Sequence, residues 1–181
     1  MLMMIADDTL ARDAARGDRD AFAALLERHY DKLFGLCWRL TGQQAEAEDL
    51  TQDICAALPA KLAGFRGEAR FTTWLYRVAV NAAHDRRRRA NSHDRARTGW
   101  GDWEIARQAA MAEEAEAQNW LHHAMAQLPE ELRDTVALTL GEGLTQAEAA
   151  TILGLSEGTV AWRMSEVKKR LRALAQEEAT P

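Results

Sequence analysis

Apolar side chains recur at steps of three and four residues in the segment from Phe22 to Trp38, and this spacing restricts it to an amphipathic helix. The stripe consists of Phe22, Leu25, Leu26, His29, Tyr30, Leu33, Phe34, Cys37 and Trp38. A strand would require alternation with a period of two, which the segment does not show. Asp18 or Asp20 can cap the start of this helix, and Gly42 can end it.

A second helix is predicted from about Ala45, with an acidic outer face. Its buried positions are Ala47, Leu50, Ile54 and Leu58, whereas Glu46, Asp49, Gln52 and Asp53 share the opposite side. Pro59 lacks the N–H that a continuing helix would use, so a kink or an early end is expected there. Residues 64–70 contain two glycines and two arginines without periodicity, which indicates a loop.

A third helix is predicted from Thr72 or Thr73 to about Arg89. Phe71, Trp74, Leu75 and Val78 would face inward, and the other faces would carry Arg77, Asn81, His84 and Arg88. From Ala90 to about Asp102 the helical periodicity is lost, and the polar, glycine-containing composition indicates a linker. A long helix over about 104–127 then opens a second domain.

The end of the chain has the pattern of a helix-turn-helix. Pro129 suits the first turn of a helix that Gly141 and Gly143 would stop. Residues 145–148 are TQAE, a capping box that starts a short helix through Ile152 and Leu153. Gly154 makes the turn, and Ser156 can cap a last helix. That helix would have Val160, Met164, Val167 and Leu171 inward and Arg163, Lys168, Lys169 and Arg170 largely outward.

Composition supports an all-α fold of two small helical domains joined by a flexible linker. The chain has only three prolines in 181 residues and few runs of β-branched residues. The expected boundaries are 1–91 for the first domain, 92–112 for the linker and 113–181 for the second. No segment approaches the roughly 20 apolar residues of a membrane span, and no leader pattern opens the chain, so a soluble, cytoplasmic protein without membrane insertion is expected.

Few ligand or catalytic patterns are present. Cys37 and Cys55 form no Cys-x-x-Cys pair, and buried thiols are expected rather than a disulfide or a zinc cluster. His122 and His123 are adjacent and point to different sides of a helix, which makes a poor metal pair. The acidic stripe has no histidine at ligand spacing beside it, so it is a solvated face or a docking face for a basic partner helix. No cofactor and no enzymatic activity are expected.

Two groups of residues have the chemistry of DNA recognition. The second helix of a helix-turn-helix places its N-terminal side chains in the major groove, here Ser156, Glu157, Thr159, Trp162 and Arg163, while Lys168, Lys169 and Arg170 suit phosphates. In the first domain, the rings, cations and amide suited to single-stranded DNA are Phe65, Arg66, Trp74, Tyr76, Arg77, Asn81 and the run from Arg86 to Arg89. The purely structural alternatives are a plain helical hairpin for the C-terminal helices and a solvated helix end for the arginine run. For Trp74, whose neighbours are Leu75 and Val78, a place in the core is favoured over a base platform. The net charge of -5 opposes binding to DNA unaided.

The order of these parts resembles the extracytoplasmic-function group of bacterial sigma factors. The resemblance rests on AEDLTQD at 47–53, FRG at 65–67 and FTTWLYRVAVN at 71–81 in the first half. In the second half it rests on LPE at 128–130, GLTQAEAA at 143–150 and EGTV at 157–160. It spans about Asp20 to Leu174, and the joint occurrence of both blocks in this order is highly specific.

The resemblance implies a stress-responsive transcription initiation factor whose partners are core RNA polymerase, promoter DNA and an anti-sigma factor. It implies a polymerase-binding face at Glu46, Asp49, Gln52 and Asp53. It assigns minus-ten recognition and melting to Phe65, Arg66, Tyr76, Arg77, Asn81, Arg87 and Arg88. It assigns minus-thirty-five recognition to Ser156, Thr159, Trp162, Arg163, Lys168 and Lys169.

This sequence departs from the family pattern in two functional places. Basic residues are common where Ala161 and Glu166 stand, and a small polar residue is usual at Trp162, which bears on promoter preference. At residues 57–59 the family usually has an aromatic residue and an unbroken helix, where this chain has Pro59. Two other functions fit parts of the pattern: a sigma mimic that binds an anti-sigma factor, and a stand-alone helix-turn-helix regulator. The segment from Phe22 to Arg89 does not resemble a sensor or dimerisation domain, which disfavours the regulator.

Overall fold

The computed structural model describes residues 5–94, 124–125 and 127–178, and these form helices without a strand among them. The seven α-helices are α1 (Asp7–Ala15), α2 (Arg19–Thr41), α3 (Gln44–Leu62), α4 (Phe71–Asp94), α5 (Glu130–Val136), α6 (Gln146–Leu153) and α7 (Glu157–Glu178). A π-helical turn, Ala137–Gly141, continues α5. The all-α prediction is confirmed. The predicted linker beyond Asp94 and nearly all of the predicted helix over 104–127 lie outside the described residues.

The first domain is built around the periodic stripe of α2. Leu33, Leu36 and Leu40 are buried against α3 and α4. Asp18 caps the helix, because its carboxylate accepts hydrogen bonds from the backbone N–H groups of Asp20 at 2.9 Å and Ala21 at 3.0 Å. The helix ends at Gly42, whose φ of 77° is accessible to glycine at little cost. Both predicted ends of this helix are therefore confirmed.

Helix α1 was not predicted, since it is only nine residues long and buries just Leu10 and Ala11 completely. Polar contacts hold it to the rest of the domain. Asp7 contacts Arg28 and His29 of α2. The Oδ1 atom of Asp8 accepts a hydrogen bond of 2.6 Å from the backbone N–H of Phe71, so α1 supplies the first partner for the start of α4.

Two expected helix ends are wrong. Helix α3 does not end at Pro59 but continues to Leu62, because the buried side chains of Leu58 and Leu62 hold its last turn in the core. A proline this near a C-terminus removes only one hydrogen bond of the helix. Helix α4 continues through Ala90 to Asp94, past the expected end near Arg89.

The second domain has the predicted helix-turn-helix. Thr145 and Glu148 form the capping box, and Gly154 adopts a φ of 68° in the turn. Ser156 Oγ accepts a hydrogen bond from Thr159 N at 3.1 Å at the start of α7. Val160, Met164 and Val167 are buried, which confirms the predicted inner face. Met164 and Val167 pack with four residues of the preceding segment, Met125, Leu128, Leu132 and Val136.

The two domains share a continuous core in this structure. Leu138 of the π-helical turn, Ala149 and Ile152 of α6, and Val160 of α7 join the apolar cluster of the first domain. The π-helical turn contacts α2, and α6 contacts α4. This packing brings residues of the second domain directly against the face of α4 that carries the candidate DNA-binding arginines.

Candidate functional site

Helix α3 presents its acidic residues to solvent. Glu46, Asp49, Gln52 and Asp53 are all exposed, while Ala47, Leu50 and Ile54 on the opposite face are buried. Arg86 of α4 reaches this face, with Nη2 at 3.1 Å from Asp49 and Nη1 at 3.5 Å from Asp53. Exposed ion pairs of this kind contribute little to stability, about 0–1 kcal/mol. The carboxylates therefore remain available to a basic partner.

A cavity of about 280 Å³ lies between the loop that precedes α4 and the first two turns of that helix. Its lining includes Phe65, Arg66, Trp74 and Arg77, together with Gly64, Gly67, Glu68, Ala69 and Thr73. Phe65 is buried, and its ring centroid lies 5.5 Å from that of Trp74 in an edge-to-face arrangement. The volume is near the lower end of ligand pockets, about 300–1,000 Å³. Arg66 and Arg77 are exposed at the same place.

The structure does not bring all seven candidate minus-ten residues together. We name the cavity described above the loop cavity, and three of the seven residues line it: Phe65, Arg66 and Arg77. Asn81, Arg87 and Arg88 line a separate cleft of about 790 Å³ that also contains residues of α5 and α7. Tyr76 is buried, and its hydroxyl donates a 2.6 Å hydrogen bond to Glu142 of the second domain. Burial and the Glu142 carboxylate raise the pKa of Tyr76 well above its usual value.

Asp134 of α5 lies at the centre of the contacts between the domains. Its side chain is only 4 % exposed. Arg87 donates to both of its oxygens, at 3.0 and 2.8 Å, and His84 Nε2 lies 2.7 Å from Oδ2. Burial by itself raises the pKa of Asp134, but the hydrogen bonds and charges of His84 and Arg87 outweigh it, so the pKa is lowered. The carboxylate is therefore ionised and fully paired.

Glu142 forms a second contact of the same kind, at the end of the π-helical turn. Its side chain is 7 % exposed and forms an ion pair with Arg39 of α2 in addition to the bond from Tyr76. A side chain at Gly141 would collide with the Arg39 guanidinium group. Nearby, Arg77 donates a 3.0 Å hydrogen bond to the backbone oxygen of Thr151 in α6.

Four of the six candidate minus-thirty-five residues are exposed on α7 or directly before it. Ser156, Trp162, Lys168 and Lys169 are exposed, Trp162 to 63 %, and Thr159 is half-buried. The outward orientation predicted for Arg163 is wrong. Its side chain is only 14 % exposed and lies 3.4 Å from the Glu131 carboxylate. Position 163 borders the buried stripe of Val160, Met164 and Val167, and the acidic start of α5 attracts the guanidinium group inward.

Sequence reasoning missed several residues of these sites. Trp74 was named among the candidate rings but favoured as a core residue, and it lines the loop cavity. His84, Asp134 and Glu142 were not singled out, because each acts through a partner distant in sequence and no local pattern marks such a pair. In the described part of the chain, no three His, Cys, Asp or Glu residues could hold a metal ion. No helix of that part is long and apolar enough to cross a membrane.

Comparisons with known proteins match both halves of the chain to one family. Residues 25–93 match the model of Sigma-70 region 2, and residues 118–171 match that of Sigma-70, region 4. The RNA polymerase sigma-H factor of Pseudomonas aeruginosa is 32 % identical over 94 % of both chains. The ECF RNA polymerase sigma factor SigM of Mycobacterium tuberculosis is 36 % identical over 87 % of this chain and 79 % of its own.

A solved structure has the same fold. The structure of CnrH in complex with the cytosolic domain of CnrY has a TM-score of 0.72 with 26 % sequence identity, and the match covers 96 % of this chain and 99 % of that chain. The helical architecture, the two family matches and the relatives agree with the resemblance. The chain belongs to the extracytoplasmic-function group of sigma factors, and it directs RNA polymerase to promoters and initiates transcription.

Proposed function

We propose that the two domains divide the work of promoter recognition. The first domain, residues 1–91, binds core polymerase and opens the minus-ten element. The second domain, residues 113–181, recognises the minus-thirty-five element, and residues 92–112 link the two. The protein acts without catalysis of its own, in the cytoplasm where polymerase and promoter DNA are found.

The loop cavity is the observation that carries this proposal. An unstacked base needs a shaped pocket with an apolar wall, and its phosphates need nearby cations. Phe65 and Trp74 supply the wall, and Arg66 and Arg77 supply positive charge at its opening. Asn81 lies one turn beyond Arg77 on α4, and Arg87 and Arg88 lie further along that helix, where they suit the phosphates of the same strand.

The acidic face of α3 is the proposed polymerase-binding surface. Glu46, Asp49, Gln52 and Asp53 form an exposed row along one side of the helix. A basic helix on the largest polymerase subunit would complement this row. Because Arg86 already contacts Asp49 and Asp53 at the edge of the face, a partner with stronger positive charge would displace it at small cost.

Helix α7 is the proposed reader of the minus-thirty-five element. Ser156 directly precedes the helix, Thr159 and Trp162 lie in its first two turns, and the exposed Lys168 and Lys169 lie further along, where they suit phosphates. The exposed Trp162 ring suits apolar contact with a thymine methyl group. Arg163 Nη2 lies 3.4 Å from the Glu131 carboxylate. The side chain must leave this partner before it can reach a base edge.

We also infer an anti-sigma partner. CnrH, which shares the fold across nearly the whole chain, was solved in complex with the cytosolic domain of CnrY. A partner of that kind would have to cover either the acidic face of α3 or the exposed end of α7 to block the proposed functions.

Removal of one cavity arginine tests the proposal. Arg66→Ala should leave polymerase binding and recruitment to the promoter nearly normal, because Arg66 is exposed and contributes only to the cavity. Permanganate footprinting should then show few reactive thymines where the wild type shows an open bubble. A template with a pre-melted bubble should restore run-off transcription, since the cost of strand opening is removed.

A matched control uses another exposed arginine that does not line the cavity. Arg16→Ala, directly after α1, removes a side chain that is 78 % exposed and pairs with Asp13 three residues earlier. This variant should open promoters like the wild type. Equal loss of opening in both variants would contradict the assignment of the cavity.

A further inference from the structure

We propose that the free chain closes on itself, and that Asp134 and Glu142 of the second domain hold it closed by binding groups that the first domain would otherwise offer to DNA. The idea rests on the proposed minus-ten role of α4. In this closed form the second domain takes the place of the DNA backbone. Polymerase or promoter DNA must displace the two carboxylates before the chain can open.

Asp134 binds Arg87 in the way a phosphate would. Arg87 donates to both carboxylate oxygens, at 3.0 and 2.8 Å, and the planar guanidinium group has the same two-point fit to a phosphate. Glu130 adds a third oxygen at 3.3 Å from Arg87 Nε. A guanidinium group engaged on this side cannot bind a DNA strand at the same time.

Glu142 engages a second candidate minus-ten residue. Its Oε2 accepts the hydroxyl hydrogen of Tyr76 at 2.6 Å, and Arg39 pairs with its other oxygen. Tyr76 is 6 % exposed in this arrangement, so its ring is not available to a base. Arg77 is also engaged, because it donates to the backbone oxygen of Thr151 at 3.0 Å. Three of the seven proposed minus-ten residues are thus bound by the second domain.

Apolar packing supports closure beneath these polar contacts. Leu138 is fully buried, and Ala149 and Ile152 lie in one cluster with the core of the first domain. Desolvation by this packing strengthens each ion pair that it surrounds, and it makes an unpaired partner costly. Removal of one carboxylate should therefore favour the open form, in which Arg87 regains water.

Closure makes a quantitative prediction for DNA binding by the free chain. Apparent affinity is reduced by the fraction of molecules in the competent state, so a closed population of about 90 % weakens binding about tenfold. Asp134→Asn combined with Glu142→Gln should remove most of this penalty. We expect the double variant to bind a single-stranded minus-ten oligonucleotide about tenfold more tightly than the wild type, measured by fluorescence anisotropy. Its radius of gyration from small-angle scattering should also increase.

Two further variants separate closure from folding. The single variant Glu142→Gln changes a residue at the end of the π-helical turn, and the new amide oxygen can still accept the hydrogen bond from Tyr76. This variant should therefore bind the oligonucleotide more tightly than the wild type, but by less than the double variant. Glu27→Gln with Asp31→Asn is the matched control, because it removes the same two negative charges at exposed positions of α2. This control should bind and scatter like the wild type. Circular dichroism should show equal helix content in all of them.

The outcomes separate this proposal from the function on which it rests. An unchanged radius of gyration and unchanged oligonucleotide affinity in a folded double variant would overturn closure, while holoenzyme transcription would still support the promoter role. An expanded double variant that binds no oligonucleotide would support closure and contradict the minus-ten assignment. An expanded double variant that binds the oligonucleotide more tightly would support both closure and the minus-ten assignment.

Discussion

Among single side chains, Asp7 shows how one carboxylate attaches a whole helix. Its two oxygens lie 2.8 Å from Arg28 Nη1 and 2.9 Å from His29 Nε2, and both partners belong to α2. Burial raises the pKa of Asp7, but the bonds and charges of Arg28 and His29 outweigh it, so the pKa is lowered below 3.8. Because the pKa of Asp7 is lowered in the folded state, the stabilisation that its carboxylate gives to the contact between α1 and α2 is complete at pH values above the ordinary carboxyl pKa. This stabilisation is lost as the pH falls through the lower pKa of the folded state.

Attachment of α1 should therefore depend on pH only in the acid range. Hydrogen-exchange protection factors of α1 relative to α2 should stay constant from neutral pH to about 4 and fall below that value. Asp7→Asn should reduce this protection at all pH values and remove the acid step. Asp13→Asn serves as the control, since Asp13 pairs with Arg16 directly after α1 and not with α2. A control with the same loss as Asp7→Asn would indicate a general effect of charge.

At the scale of elements, periodicity predicted α2, α3, α4 and the helix-turn-helix, because each buries one face. The same reasoning fails where one face is too short or where the backbone departs from the α geometry. Helix α1 offers only Leu10 and Ala11 as fully buried positions. The extra residue of the π-helical turn, Ala137–Gly141, has no local sequence pattern, yet Glu142 follows directly from it.

The acidic face of α3 is the element whose function is most directly testable. Asp49→Arg with Asp53→Arg should weaken association with core polymerase by about 2 kcal/mol or more, roughly 30-fold, because like charges would face a basic partner. Both side chains are mostly exposed, 66 % and 74 %, so the helix content by circular dichroism should not change. Binding is measured by co-purification and by surface plasmon resonance.

An equivalent pair on another helix controls for net charge. Glu27→Arg with Asp31→Arg reverses two exposed acidic residues at the same spacing on α2. This pair should associate with polymerase like the wild type. Equal weakening by both pairs would show that overall charge, and not the α3 face, controls binding.

At the scale of the whole molecule, the sequence predicted two helical domains but not their contact. Asp134 meets His84 across 50 positions of the chain, and Glu142 meets Tyr76 across 66. Such pairs depend on how two cores dock, and residues at any one of these positions look like ordinary surface charges. The loop cavity was only partly predicted, since the sequence offered Trp74 both as a candidate ring and as a core residue and its spacing favoured the core, whereas its side chain lines the cavity.

The charge of the whole chain leads to a last prediction. With 28 acidic and 23 basic residues the net charge is -5, and DNA affinity depends on cations that can release counterions from phosphates. Several of those cations are already paired, among them Arg86 with Asp49, Arg87 with Asp134 and Arg163 with Glu131. The free protein should therefore bind a minus-thirty-five duplex weakly at physiological salt, with little preference over a scrambled duplex. Core polymerase should confer tight and specific binding, because on the closure proposal it would open the chain and free Arg87. Mobility shifts with and without core, on the promoter and the scrambled duplex, measure both effects. Tight specific binding by the free protein would show that neither the net charge nor the intramolecular pairing restrains it.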